Sequence, residues 1–138
     1  VMRPVPLAGE ERTISCVSMG NPHVVIFVPD VDRIDLEHVG PAIEQDPLFP
    51  QRVNVSFAQV IDRSSVKMRV WERGIGETAA CGTGACAVAV AAVENGLCAR
   101  GDIDLRLPGG VLVVRYEPSG QVWLTGDAQT DFEGTIEI

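Results

Sequence analysis

A run of small apolar residues from Gly82 to Val93 constrains this chain more than any other feature. Ala, Val, Gly and Cys occupy nearly every side of a helix drawn through it, so it has no polar face and must be buried rather than amphipathic. Its Ala and Gly content lets sheet backbone approach closely. It ends at Asn95-Gly96, a pair suited to a helix C-terminus. A helix of this kind needs strands around it, and the flanking sequence supplies them. Immediately before it lies a Gly-rich loop, Gly74-Ile75-Gly76-Glu77-Thr78-Ala79-Ala80, which delivers Cys81 to the helix N-terminus.

The remaining pattern is mostly short strands. Arg12 to Met19, His23 to Val28, Val53 to Val60 and Val66 to Trp71 read as strands, the last two joined as a hairpin through Asp62-Arg63-Ser64-Ser65. Asp35 can cap a short helical turn that Gly40-Pro41 breaks, with another starting there. Asp46 to Pro50 is a loop. Ile103 to Leu107, Val111 to Tyr116, Val122 to Thr125 and Asp131 to Ile138 complete the set. Many antiparallel strands around one or two helices predict an α+β fold.

The 138 residues and 46% apolar content suffice for one domain with a true core. A net charge of −8 argues against nucleic-acid and anionic-membrane partners. No apolar run reaches the ~20 residues of a membrane span, and with no basic n-region followed by a cleavage site no signal peptide is expected. The opening at Val1 reads as the interior of a longer polypeptide. Cys16, Cys81, Cys86 and Cys98 form neither a disulfide framework nor a zinc set, since no Cys-x-x-Cys pair occurs. A reduced, cytoplasmic protein is the expectation.

Cys81 has three readings on residues alone: a buried small hydrophobe, a covalent nucleophile, or an acid/base. A thiol at a helix N-terminus feels the positive end of the dipole, which predicts a pKa lowered from ~8.5 toward neutrality. The N–H groups of Gly82, Thr83 and Gly84 lack intrahelical acceptors there and can hold a carboxylate or oxyanion. Cys86 lies within the buried helix and reads as packing; Cys16 and Cys98 read as structural. Glu72 continues the apolar face of Val66, Met68 and Val70 to the mouth of the loop. With Arg73 it forms either a solvated strand end or a pair matched to the amino and carboxylate ends of an amino acid. His23 is either a hydrogen-bonded structural group or a residue that tunes a thiol. Asn21 and Asn54 are site amides or ordinary structural ones; Asn54 interrupts an apolar strand and must face solvent or find partners. Lys67, the single lysine, sits mid-strand and is a poor Schiff-base candidate, so no cofactor is expected.

Three stretches, Gly20-Asn21-Pro22-His23, Phe49-Pro50-Gln51-Arg52-Val53-Asn54-Val55 and Trp71 through Cys86, occur in the order found in diaminopimelate epimerases, and the chain resembles that family from about residue 14 onward. Proline racemases and phenazine-biosynthesis isomerases are similar in fold. The resemblance implies two pseudo-symmetric halves, each a mostly antiparallel β-barrel-like sheet around a central helix, each giving one cysteine. It implies that this chain is the second half, with residues 1–129 carrying one catalytic thiol. Residues 130–138 would be a strand packing on the first half, whose Cys-Gly-Asn-Gly motif is absent here. By position, Cys81 resembles a catalytic thiol. His23 and Glu72 resemble groups that tune it, Gly82 and Thr83 the carboxylate donors, and Asn21, Asn54, Glu72 and Arg73 substrate-binding residues. The activity implied is cofactor-independent interconversion of LL- and meso-diaminopimelate by a homodimer. The 138 residues alone should be inactive or nearly so. Two other readings stand beside it: a Cys81 nucleophile activated by His23 in acyl transfer or hydrolysis, and a non-catalytic amino-acid-binding domain.

Overall fold

The computed structural model describes residues 2–125 and the backbone of residues 131–135. The strands among them are β1 (Arg3–Leu7), β2 (Glu10–Ser18), β3 (Pro22–Phe27), β4 (Asn54–Asp62), β5 (Ser65–Glu72), β6 (Gly76–Thr78), β7 (Gly101–Leu107), β8 (Gly110–Tyr116), β9 (Gln121–Thr125) and β10 (Asp131–Thr135). The helices are α1 (Leu36–Glu44), preceded by a 3₁₀ turn at Val31–Arg33, and α2 (Gly82–Glu94). The strands form one sheet in the order β1-β2-β3-β4-β5-β7-β8-β9-β10, with β6 attached to β5. Neighbours are antiparallel except β3 with β4 and β5 with β7. This is the expected α+β class, with a mixed, mostly antiparallel sheet.

The sheet curves around α2, which touches β2, β3, β4, β5, β7, β8 and β9. Every residue of α2 from Gly84 to Ala92 is buried, as an all-apolar helix requires. Its end is a Schellman closure: Leu97 N–H donates to Ala92 C=O at 2.8 Å and Gly96 N–H to Val93 C=O at 3.0 Å, with Gly96 at φ +73°. The sheet's other face receives α1. Alternation along the central strands serves both layers: Val25, Met68 and Val70 pack toward α2, whereas Val24, Ile26, Val55 and Phe57 share a second core with Leu36 and Ile43. Strands covered on both faces read as continuous apolar runs, which is why His23–Val28 has so little polar alternation.

Three local outcomes differ from the sequence expectation or were absent from it. Gly40-Pro41 does not break the first helix; α1 runs through both. An internal proline removes a helix bond and ordinarily costs ~3 kcal/mol, but burial of Leu36, Gly40, Ile43 and Glu44 on one face offsets it. The Gly-rich loop contains β6, which pairs Gly76 with Glu72 and Thr78 with Val70. β1 is unexpected from sequence, because Pro4 and Pro6 argue against a strand. Both alternate with the residues that face β2, so their missing N–H groups fall on the open edge. As expected from sequence, a strand follows at Asp131–Thr135, and it pairs antiparallel with β9; Thr130 and residues 136–138 of that segment lie outside the described residues. No helix among the described residues is long and apolar enough to cross a membrane.

Candidate active site

The N-terminal ends of β3 and β4 and the C-terminal end of β5 meet at the same end of three adjacent central strands, because β3 and β4 run parallel and β5 returns against β4. That topology gathers residues 21 to 23, 54, and 72 to 73 from three separate stretches. In the register His23 stands opposite Asn54. The Asn54 side chain joins the three ends: its Nδ2 donates to Pro22 C=O at 3.1 Å and its Oδ1 accepts from Arg73 N–H at 2.8 Å. Asn54 is 5% exposed, so it has found partners rather than solvent. In this structure its amide ties the loops that carry Asn21 and Arg73.

Cys81 is the N-cap of α2, with extended backbone (φ −146°, ψ 108°), and its Sγ accepts from Gly84 N–H at 3.3 Å. Thr83 Oγ1 lies 3.7 Å from the same sulfur. One of the three N–H groups expected to hold a ligand, that of Gly84, is thus engaged by Cys81 itself, and the Thr83 N–H also acts on the sulfur. Close packing explains the glycines. A Cβ on Gly84 would stand 3.2 Å from Cys81 Sγ, and one on Gly82 would stand 2.9 Å from Leu124 Cδ2. The loop before Cys81 is pinned from the β7–β8 turn, where Gly109 N–H donates to Ala79 C=O at 2.8 Å. Neither Leu124 nor Gly109 was legible as a neighbour of this site, since both arrive from strands far along the chain.

The electrostatics correct one expectation. Burial is the largest influence on Cys81 and pushes its thiol above the ordinary cysteine range. The Gly84 and Thr83 donors pull the other way, and the Glu72 carboxylate adds to the rise. The helix terminus alone predicted a lowered pKa; desolvation of the 9%-exposed side chain outweighs it. The same effect places Glu72, half-buried on the strand face it shares with Val70, within electrostatic reach of the thiol. Cys86 is fully buried in the α2 core and its thiol is pushed up to about 12, mainly by burial. Cys98 is buried and Cys16 exposed; all four thiols are free.

His23 is 1% exposed. Its Nε2 donates to Asn21 Oδ1 at 3.1 Å, which places the ring proton on Nε2 and leaves Nδ1 buried without a partner among the described residues. Burial, with the Arg73 charge beside it, drives its pKa down to about 4. The ring is therefore neutral at pH 7. A depressed base stabilises the fold fully above its ordinary pKa of about 6.5 and loses that contribution as pH falls toward 4. The His23 ring protons should show no titration between pH 8 and about 5.5 by NMR, and stability to denaturant should fall below about pH 6. A normal titration midpoint near 6.5 would contradict the burial argument.

Arg73 is exposed, with Nη1 donating to Gln51 C=O at 3.3 Å. Its guanidinium is thus at the surface of the cluster, available to an anionic ligand. Lys67 is ion-paired with Asp32 on the sheet exterior. Among the described residues no group of three His, Cys, Asp or Glu is placed to hold a metal ion.

The family model described as diaminopimelate epimerase matches residues 15–130. The chain is 54% identical to the diaminopimelate epimerase of Desulfovibrio desulfuricans, with 100% of this chain and 48% of the relative covered. It is 52% identical to that of Acetivibrio thermocellus, covering 98% of this chain and 48% of the relative. The chain therefore spans about half the length of the curated relatives it matches. A solved Bacillus anthracis phenazine biosynthesis protein of the PhzF family superposes with a TM-score of 0.58 at 20% identity, over 80% of this chain and 38% of that one, which shows shared fold alone.

Proposed function

Because this chain belongs to the diaminopimelate epimerase family, we propose that it forms one half of an enzyme that interconverts LL- and meso-diaminopimelate without a cofactor. The observation that supports this most directly is Cys81 at the N-terminus of a buried helix, beside the Gly82 and Thr83 N–H groups and within reach of Glu72. An amino-acid α-proton is a very weak acid. Its removal needs a close base, a carboxylate held by fixed dipoles, and exclusion of water.

The residues divide into roles accordingly. Gly82 and Thr83 hold the carboxylate at the reacting carbon, where their N–H dipoles stabilise the charge that develops on deprotonation. Cys81 exchanges a proton with one face of that carbon. Burial keeps it a thiol at neutral pH, the form a proton donor needs. Inversion also needs a base on the opposite face. Cys86 is sealed in the core, so we assign that base to a second thiol from the half of the family's length that this chain does not span. Proton bookkeeping then balances: the opposing thiolate takes the α-proton and Cys81 returns one, or the reverse. Asn21, Asn54, Glu72 and Arg73 bind the distal amino and carboxylate groups, Asn54 chiefly by positioning its neighbours. His23 and Glu72 tune the cluster, His23 as a neutral ring and Glu72 through its charge. The full-length protein is proposed to act as a cytoplasmic homodimer.

The test is incubation of the full-length protein with LL-diaminopimelate in D₂O. Meso product carrying deuterium at the inverted α-carbon is expected. An acyl adduct on Cys81, or no exchange, would replace this reading with a nucleophilic or a non-catalytic one. The isolated 138 residues should show no measurable turnover.

A further inference from the structure

Glu44, on the last turn of α1, is 4% exposed. A buried carboxylate is costly unless its oxygens are satisfied. Here they are, by two donors that flank the candidate ligand-binding pair: Trp71 Nε1 donates to Oε1 at 2.9 Å and Gly74 N–H donates to Oε2 at 2.9 Å. Residues 72 and 73 lie between those two points. Arg52 Nη1, at 3.7 Å from Oε2 and largely exposed, supplies a weaker third partner.

We propose that Glu44 is a positioning residue for substrate recognition, bracketing Glu72 and Arg73 from beneath through Trp71 and Gly74. The inference rests on the functional reading above, since it takes Glu72 and Arg73 as ligand-binding groups. Three observations carry it. α1 approaches the end of β5 so closely that Gly40 has no room for a side chain beside Trp71. Gly74 turns at φ +77°, so the chain reverses direction at the point where Glu44 holds it. On the opposite side, Arg73 N–H is held by Asn54. The backbone of the pair is thus fixed from two sides by side chains of different elements, while the Arg73 guanidinium stays exposed. Glu44 touches neither Cys81 nor its donors among the described bonds, so it should set binding more than proton transfer.

The experiment is steady-state kinetics of Glu44→Gln in the full-length protein. A glutamine presents one acceptor oxygen where two are needed and turns its NH₂ toward a donor. KM for diaminopimelate is expected to rise roughly tenfold, with kcat within about threefold of wild type, because misplacing Glu72 and Arg73 weakens binding rather than proton transfer. A role confined to stability would lower the melting temperature and leave KM unchanged, and KM within twofold of wild type overturns the proposal. If Glu44→Gln fails to fold, Trp71→Phe removes the Oε1 bond together with part of the ring packed on Gly40, and Gly40→Ala disturbs that packing while leaving the indole N–H in place; a KM raised in Trp71→Phe beyond that of Gly40→Ala supports the bracket and an unchanged one overturns it. If the wild-type protein does not epimerise diaminopimelate, the functional reading fails separately. Amide exchange at Gly74 and the Trp71 indole then decides the bracket, with wild-type protection in the variant overturning it.

Discussion

The Cys81→Ser variant of the full-length protein is expected to lose about 10³-fold in kcat for diaminopimelate while keeping its melting temperature. The two halves of that expectation have separate physical causes. Serine is a better helix N-cap than cysteine, and its Oγ can accept the Gly84 N–H bond that Sγ accepts at 3.3 Å. The start of α2 should therefore be as stable or slightly more so. A hydroxyl, however, neither ionises nor exchanges protons with carbon acids as a thiol does, and no other thiol is at the N-cap. KM should change little, because the carboxylate donors proposed here, Gly82 and Thr83, would bind through backbone that the substitution leaves in place. Turnover within tenfold of wild type would remove Cys81 from the chemistry. A large fall in melting temperature would recast it as a structural residue.

Gly40→Ala is expected to destabilise the protein by on the order of 3 kcal/mol, or roughly 10 °C in melting temperature. Two effects compete at this position. Alanine in a helix interior gains about 1 kcal/mol over glycine from backbone entropy. Against it, a Cβ at residue 40 would stand 2.6 Å from Trp71 Cδ2 and 2.7 Å from Cγ. The indole cannot simply swing away, because its Nε1 is bonded to Glu44. Either α1 moves off β5 or the Trp71–Glu44 bond breaks, and both outweigh the propensity gain. Thermal unfolding of the variant beside wild type measures the balance, and an unchanged or raised midpoint would mean that the helix shifts freely. Because the same displacement loosens the Glu44 bracket, the variant that folds should also bind substrate more weakly.

Much of the architecture was legible because it follows from local pattern. The all-apolar helix from Gly82 could only be buried, and its stop at Asn95-Gly96 follows from the left-handed backbone that glycine adopts readily. The hairpin between Val60 and Val66 followed from turn residues between two alternating runs. β1 was missed because the edge position that tolerates Pro4 and Pro6 is a property of the sheet. The helix through Pro41 was missed because propensity is a local quantity, while the burial of Leu36 and Ile43 that outweighs it is not.

The site divides along the same line. Sequence alone determined which residue types are available: a thiol at a helix start, glycines that free the first-turn N–H groups, and a Glu-Arg pair at the strand end before it. It also carried the motifs that mark the family. Only the tertiary structure decided that residues 21 to 23, 54 and 72 to 73 share one end of the sheet, because their proximity comes from the parallel pairing of β3 with β4 across a helical crossover and the return of β5 against β4. Only the tertiary structure placed Leu124, Gly109 and Glu44 behind the loop. It also reversed the expected direction of the Cys81 pKa. A dipole is a property of the helix and can be read along the chain, but desolvation is summed over everything packed around the sulfur, and those neighbours come from the whole fold.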